Sequence, residues 1–393
     1  MLGRVVLPCL IFTAMVGTVH MIFPAALLFL YVCPLRQLYR VVVDAVAMAW
    51  LTGAAAAVEL LGGVKVTTSG DAKPPSSDRG IIIVLNHHCR LDWMFFWCCA
   101  VRLNLLRGGA LKIALKDSLK KAPFFGWAMQ AFLFTFLSRN DRAGDLARLR
   151  RAIEHCAGHG DRLALLIFPE GTDLSPSNQD KAKAFAKDKG LTEYRHVLHP
   201  RAAGFAEAVN ALGGHFDAVY DVTVSYTNHP TVAAAADPRP SEVSCLLHGK
   251  WPRRAHFHIE RVPAAAVLSG GAANVSRAAS VKELAPDTAA KNAAAWLTAA
   301  WAAKEARLAA PSPPTASCQD TADVRMLYLG TLSVWTLLVA TIGRALFGGS
   351  GALWLFTIAG AGMLAGATRR GGLDEAEFSR FSAAPAVSHA KQA

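Results

Sequence analysis

The chain has 393 residues, of which 53% are hydrophobic and 18% are charged. About 25% charged residues is usual in soluble domains, so the composition argues against an ordinary cytosolic enzyme. The 41 Lys and Arg residues exceed the 29 Asp and Glu residues, which gives a formal net charge of +12. No basic helix or aromatic-basic repeat accompanies this excess, so no nucleic-acid partner is expected. The charge suits an anionic membrane surface or a substrate that carries phosphate.

The eight cysteines do not indicate a metal site. None of them lies in a Cys-x-x-Cys pair, which excludes a zinc ribbon and a thioredoxin-type site. His87, His88 and Cys89, followed by Cys98 and Cys99, match no familiar spacing of metal ligands. We therefore expect reduced thiols and no bound metal.

Two apolar segments lie near the beginning of the chain. Val5–Cys33 contains no charged residue and exceeds the roughly 20 residues that a membrane span needs. It is also longer than the apolar part of a cleaved signal peptide, about 7–15 residues, so we expect it to be retained. The second segment, Val41–Gly63, follows Arg36 and Arg40, which the positive-inside rule places in the cytosol. A cytosolic domain then fits best if the second segment lies in the interface or re-enters the membrane, and a full crossing is the alternative.

Two further apolar segments, Met326–Ile342 and Gly351–Ala367, form a predicted membrane hairpin near the end of the chain. Each is near the lower length limit for a span. Arg325 precedes the first, and Arg369 and Arg370 follow the second, so the positive-inside rule places both outer ends in the cytosol. A soluble helical hairpin is the alternative.

These segments and a Pro/Ser/Ala-rich stretch divide the chain into five predicted parts. They are N-terminal membrane-anchoring helices (1–63), a central domain (64–309), a linker (310–325), the C-terminal membrane hairpin (326–368) and a tail (369–393).

The central domain alternates short β-rich runs with helical patterns. Ile81–Asn86 is a continuous apolar run after turn-forming residues and predicts a buried strand. A helix is predicted from Asp92 towards Leu106, and another over Asp141–Cys156, where apolar residues recur at helical spacing. The other predicted strands are LKIAL, FTFLSR, RLALLIFPE, AVYDVTVSY, EVSCLLHG and AHFHIERV. This alternation predicts an α/β domain with a largely parallel sheet flanked by helices, which binds ligands beyond the carboxyl ends of its strands.

His87 and Asp92 follow the first predicted strand, five residues apart. Histidine is the side chain best suited to remove a proton near neutral pH. A carboxylate on its other ring nitrogen fixes the tautomer and stabilises the imidazolium. No serine or cysteine in a nucleophile-elbow setting accompanies the pair. The alternative for Asp92 is a cap at the start of the helix.

Two further groups of polar residues follow predicted strands. In FPEGT, Gly171 lets backbone N–H groups approach a ligand, Thr172 adds a hydroxyl, and Glu170 can orient a basic residue or a substrate hydroxyl. A plain strand-to-loop turn is the alternative. Arg139 ends the FTFLSR run, and Lys116 belongs to a basic stretch upstream of it. Such cations bind phosphate, although a solvated basic face is equally consistent with the pattern.

Taken in order, these blocks resemble the glycerolipid acyltransferase family, the 1-acylglycerol-3-phosphate acyltransferases with the NHxxxxD signature. The matching blocks are NHHCRLDW, KIALKDSLKKAPFFGWAMQAFLFTFLSR, IFPEGTDLS and VLHPR, within roughly residues 80 to 265. The EGTDLS form and the later WPRRAHFHIERVP are most similar to the lysocardiolipin and lysophosphatidylinositol acyltransferase branch. Asp173 stands where many members that make phosphatidic acid have Arg, which departs from a simple lysophosphatidate enzyme.

The resemblance implies a role for each matching residue. His87 would be the general base on the acceptor hydroxyl, and Asp92 would orient it. Arg139, with Glu170, Gly171 and Thr172, would hold the glycerophosphate part of the acceptor. Lys116 would be a further phosphate contact.

It also implies the substrates and the setting. Acyl-CoA would be a co-substrate, a lysophospholipid the acceptor, and membrane lipids the surroundings. No cofactor, metal or acyl-enzyme would take part. The expected location is the endoplasmic reticulum membrane, with the catalytic domain facing the cytosol. The alternatives are a lysocardiolipin or lysophosphatidylinositol remodelling enzyme, a CoA-independent transacylase, and a silent membrane scaffold. The complete set of motif residues argues against the last.

Overall fold

The computed structural model describes residues 11–71, 75, 77–227, 239–269, 285–310 and 322–381. The strands are β1 (Lys65–Gly70), β2 (Gly80–Leu85), β3 (Leu111–Lys116), β4 (Thr135–Leu137), β5 (Leu163–Ile167), β6 (Ala218–Thr227) and β7 (Arg254–Pro263). The helices are α1 (Ile11–Val32), α2 (Arg36–Leu61), α3 (Asp92–Arg102), α4 (Phe125–Ala131), α5 (Arg142–Gly158), α6 (Pro176–Lys189), α7 (Ala202–Leu212), α8 (Ala264–Leu268), α9 (Pro286–Ala309), α10 (Ala322–Phe347), α11 (Gly351–Arg369) and α12 (Leu373–Arg380).

The chain forms two compact units. The first unit comprises Ala54–Asn104 and Ala164–Arg325, and the second comprises Val5–Gly53, Leu105–Leu163 and Met326–Ala393. This division follows contacts in space, because both units draw on separate stretches of sequence.

A mixed, mostly parallel sheet organises the first unit. Its strands lie in the order β1-β7-β6-β2-β5. β1 pairs with β7 and β2 with β6 in parallel, whereas β6 and β7 are antiparallel. Every residue of β2 is buried, as expected for a continuous apolar strand covered on both faces. The predicted α/β fold with a largely parallel sheet is confirmed.

In the second unit, β3 and β4 pair in parallel, with Lys116 opposite Leu137. The apolar helices of this unit pack closely through glycines. A side chain at Gly17 or Gly53 would lie 3.1–3.2 Å from the ring of Trp335 on α10, and one at Gly360 would lie 3.0 Å from Phe23 on α1. These glycines therefore provide the room that the aromatic rings fill.

Four helices, α1, α2, α10 and α11, are long and apolar enough to cross a membrane. α10 and α11 contain the two C-terminal apolar segments, α1 lies within Val5–Cys33, and α2 covers Val41–Leu61 of the second segment. The predicted linker lies mostly outside the described residues, and α10 begins within its last residues, at Ala322.

One predicted strand is wrong. EVSCLLHG was expected to be β, but Val243–Leu247 is a short helical segment. Ser241 and Ser244 cap it, because each accepts a hydrogen bond at its side-chain oxygen from the other's backbone N–H, at 2.8 and 3.1 Å. A short apolar run has no clear period, so local side-chain bonding decided its conformation.

Candidate active site

His87 and Asp92 meet at the carboxyl end of β2, where a tight turn leads into α3. The His87 Nδ1 atom lies 3.0 Å from Asp92 Oδ2. The same oxygen accepts the backbone N–H of Cys89 at 2.9 Å, which fixes the carboxylate across the turn. The Asp92 side chain is fully buried, whereas that of His87 is 13% exposed. The charge of Asp92 is thus aimed at an imidazole that a substrate can reach.

The second oxygen of Asp92 has two partners that sequence reasoning missed. The Tyr226 hydroxyl donates to Asp92 Oδ1 at 2.6 Å, and the Cys89 thiol donates to it at 3.2 Å. Burial, together with the charge of Asp92, raises the pKa of both the hydroxyl and the thiol well above their usual values, so both stay protonated. Tyr226 lies near the carboxyl end of β6, which neighbours β2, and that position was the available signal.

The His87 ring is held with one nitrogen available. It packs against Phe168, with ring centroids 4.3 Å apart. Since Nδ1 faces Asp92, the tautomer with a proton on Nδ1 leaves Nε2 as the acceptor nitrogen. A substrate hydroxyl that donates a hydrogen bond to Nε2 is therefore placed for His87 to remove its proton as a general base.

Glu170 lies in the loop after β5, the strand next to β2. Its Oε1 accepts the backbone N–H of His87 at 3.1 Å and the indole N–H of Trp301 at 3.2 Å, and its Oε2 accepts the backbone N–H of Leu198 at 3.1 Å. Burial raises the pKa of Glu170 to about 7, against these three donors, which favour the charged form. Trp301 lies on α9, and nothing in the sequence pattern indicated it.

Gly171 and Thr172 continue this loop. Gly171 has φ of 74°, a left-handed conformation that favours glycine. The Thr172 hydroxyl accepts a hydrogen bond from the Asn178 side chain at 2.8 Å. The same amide donates to the backbone carbonyl of Asp173 at 2.9 Å, so Asn178 fixes the far end of the loop.

Asp173 forms an ion pair in the first unit. Its Oδ2 lies 3.1 Å from Nη1 of Arg239, and both side chains are 16% exposed. A cation therefore stands beside the position where this chain departs from the Arg of many resembling proteins. The sequence did not indicate this pair, because 66 residues separate its members.

Arg139 and Lys116 belong to the second unit. Lys116 ends β3, and Arg139 is the second residue after β4. Arg139 has φ of 66°, and its backbone N–H donates to Asp145 Oδ2 at 2.8 Å. His87, Asp92, Glu170, Gly171 and Thr172 are brought together in the first unit, and phosphate binding by Arg139 and Lys116 stays a prediction.

The described residues include no group of three His, Cys, Asp or Glu side chains placed to hold a metal ion. The expectation of metal-free, cofactor-free chemistry stays a prediction. The polar groups that are assembled here can accept a proton and orient a hydroxyl.

Comparison with known proteins agrees with a site that accepts a proton from a hydroxyl group. Residues 64–227 match the family model Acyltransferase. Over 258 residues the chain is 40% identical to lysocardiolipin acyltransferase 1 of Danio rerio, and over 257 residues it is 33% identical to lysophosphatidylinositol acyltransferase 10 of Caenorhabditis elegans. Each match covers 65% of this chain and 62% of the relative.

The match to this family model covers residues 64–227, about two fifths of the chain. The resemblance seen in the sequence is thereby confirmed. The match spans just over three fifths of the length of these two relatives. A solved structure, the 1-acyl-sn-glycerophosphate acyltransferase PlsC from Thermotoga maritima, is 17% identical, and its match covers 79% of this chain and 100% of that chain with a TM-score of 0.40.

Proposed function

We propose that the protein is a membrane-bound, acyl-CoA-dependent lysophospholipid acyltransferase. The observation that carries the proposal is the 3.0 Å contact between His87 Nδ1 and the buried Asp92 carboxylate, within an acyltransferase-family domain. This pair presents an imidazole of fixed tautomer that can take the proton of an alcohol as the alcohol attacks an acyl group.

In the proposed reaction, His87 Nε2 accepts the proton of the free glycerol hydroxyl as its oxygen attacks the thioester carbonyl of acyl-CoA. The tetrahedral intermediate collapses, the C–S bond breaks, and the CoA sulfur takes the proton back from the imidazolium. Asp92 stabilises the imidazolium between the two proton transfers. No acyl-enzyme is formed, and general-base assistance contributes about 10²–10⁴ in rate.

We propose a lysophospholipid with a phosphodiester headgroup as the acceptor. Two similar proteins are named for lysocardiolipin and lysophosphatidylinositol, both phosphodiesters. Asp173 supports this choice, because it stands where many resembling proteins have Arg and its charge is paired with Arg239, so the loop after β5 offers one cation fewer to a doubly charged phosphate monoester. Gly171, Thr172, Arg139 and Lys116 are the proposed acceptor-binding residues.

We propose further that α2 does not cross the membrane. Near its beginning, Arg36 contacts Asp161 at 2.5 Å, and near its end Glu59 forms two 2.7 Å bonds with Arg102. No helix between Arg102 and Asp161, all of which the structure describes, is apolar and long enough to span. These contacts at the two ends of α2 support the proposal.

The proposed orientation places the catalytic residues in the cytosol, at the endoplasmic reticulum membrane. Acyl-CoA is water-soluble at its head, so a cytosolic site gives it direct access, whereas the acceptor arrives from the bilayer. The arginines flanking the apolar helices favour the same side.

The test is an acyl-transfer assay with purified full-length protein in lipid vesicles. One series supplies labelled acyl-CoA with lysocardiolipin, lysophosphatidylinositol or lysophosphatidate, and a second supplies a labelled diacyl phospholipid without CoA. We expect transfer in the first series, faster to the diester acceptors. Transfer in the second series alone would indicate a CoA-independent transacylase, and transfer in neither would contradict the proposal.

A further inference from the structure

Helix α9 lies outside the residues that match the acyltransferase family, yet one of its faces is built into the first unit. Leu297, Trp301 and Lys304 are all fully buried and recur at helical spacing. Glu305, the next residue, faces the neighbouring loop. The buried polar groups of Trp301 and Lys304 need hydrogen-bond partners inside the protein.

Those partners belong to three separate parts of the first unit. The Glu305 carboxylate accepts the backbone N–H groups of residues 195–197, at 2.8, 2.8 and 3.1 Å. The Lys304 ammonium pairs with Asp221 and donates to the backbone carbonyl of Val222 on β6. The Trp301 indole N–H donates to Glu170 Oε1. One helix face thus holds the loop before α7, the strand β6 and the Glu170 loop.

The Trp301 contact leads directly to the proposed base. Glu170 Oε1, which accepts the Trp301 N–H, also accepts the backbone N–H of His87. Among the described residues, Trp301 supplies the one side-chain donor to Glu170, since the other two donors are backbone groups. The Lys304 ammonium lies 5.1 Å from the centre of the Trp301 ring and packs it in place.

We propose that Trp301 is a positioning residue, which holds the backbone at His87 and Leu198 in place through the carboxylate of Glu170. The inference rests on the function proposed above. A base must be held to within about 0.5 Å of its productive geometry, and a backbone hydrogen bond at the base itself is a direct means of doing so. Without the indole donor, Glu170 Oε1 is left with the backbone N–H of His87 as its partner, so the carboxylate holds His87 less firmly.

A pH signature follows from the burial of Glu170. The charged groups that face it are His87, when protonated, from the turn after β2 and Lys304 from α9. Burial has already raised the pKa of Glu170 to about 7. Removing the indole N–H takes away a bond to the charged form, so this pKa rises further. The neutral form, a poorer acceptor, then appears at higher pH, and the acidic limb of the activity profile moves upward.

Trp301→Phe tests the inference, because it keeps an aromatic ring and removes the N–H. Trp296→Phe is the matched control, since Trp296 lies on the same helix and packs against Phe205, with ring centroids 5.5 Å apart. For Trp301→Phe we expect kcat to fall about tenfold, with both KM values within about twofold of wild type. We expect the acidic limb to move up by as much as about one pH unit. Trp296→Phe should move neither quantity.

Hydrogen–deuterium exchange of the full-length protein gives a readout that needs no substrate. Trp301→Phe should speed exchange at the amides of His87 and Leu198, and Trp296→Phe should not. Unchanged exchange, or an equal loss of kcat in both variants, would overturn the inference. If the wild-type protein shows no acyl transfer, the proposed function is wrong. The exchange data then still decide whether Trp301 holds the amides of His87 and Leu198.

Discussion

The hydroxyl of Tyr226 lies 2.6 Å from Oδ1 of Asp92, while Oδ2 of the same carboxylate faces His87 Nδ1 at 3.0 Å. Asp92 therefore links the Tyr226 side chain on β6 to the His87 imidazole at the end of the neighbouring strand, β2. A buried carboxylate with donors on both oxygens has one orientation, and that orientation aims it at the imidazole. Tyr226 thus extends the motif pair into a three-residue network.

Tyr226→Phe should lower kcat for acyl transfer about tenfold, because a hydrogen bond to a charged group contributes about 1.5–3 kcal/mol. The KM for each substrate should change little, since Tyr226 acts on Asp92. Tyr220→Phe is the control: Tyr220 is a buried tyrosine on the same strand, and its hydroxyl donates to Asp78 at 2.8 Å. Steady-state kinetics in vesicles measure both, and an equal effect of the two variants would contradict the role of Tyr226.

The network shows what the sequence could and could not predict. His87 and Asp92 were predictable because they are only five residues apart and follow the end of a strand, where a turn can bring them into contact. Glu170, Gly171 and Thr172 were predictable as a group that follows a strand. Parallel strands gather such residues at one edge of a sheet, so position after a strand was sufficient.

The remaining partners are distant in sequence and carry no local signal. Trp301 is 131 residues from Glu170, and Arg239 is 66 residues from Asp173. Their contacts depend on how α9 and the segment after β6 pack, which composition and periodicity do not determine. The strand predicted around Val243–Leu247 was wrong for a related reason. A run of five mostly apolar residues is too short to show a period that distinguishes a strand from a helix.

The Asp173–Arg239 pair predicts a change of acceptor preference. Asp173→Arg should weaken the diester acceptors relative to lysophosphatidate, because it adds a cation for a phosphate monoester and sets it beside Arg239. The double variant Asp173→Arg with Arg239→Asp restores an ion pair in reverse and should recover part of the original preference. The ratio of kcat/KM for lysophosphatidylinositol and lysophosphatidate measures it. A ratio that is the same in all three proteins would exclude this pair from acceptor selection.

Arg139→Ala should raise the KM for the lysophospholipid about tenfold to a hundredfold, and that for acyl-CoA much less, if Arg139 binds the acceptor phosphate. Arg139→Lys should recover only part, because a point charge cannot form the bidentate contact. Arg142→Ala, at an exposed residue that begins α5, is the control. An increase in the acyl-CoA KM alone would assign Arg139 to the CoA phosphates.

Cysteine labelling tests the placement of α2. Cys33 is exposed just before α2, and the other described cysteines are buried. In a protein with Cys9→Ser, Cys318→Ser and Asp188→Cys, the introduced thiol on α6 reports on which side of the membrane the first unit lies. We expect a membrane-impermeant maleimide to label Cys33 and position 188 from the cytosolic side in sealed microsomes. Labelling of Cys33 only after the membrane is opened would mean that α2 crosses.

The most direct measurement concerns His87. Purified wild-type protein, His87→Ala and the neighbouring control His88→Gln are compared in vesicles, with acyl-CoA and lysophospholipid both saturating. We expect His87→Ala to reduce the rate of acyl transfer by about 10²–10⁴, the contribution of a positioned general base, and His88→Gln to stay close to wild type. A rate for His87→Ala within about tenfold of wild type would contradict the assignment of His87 as the base.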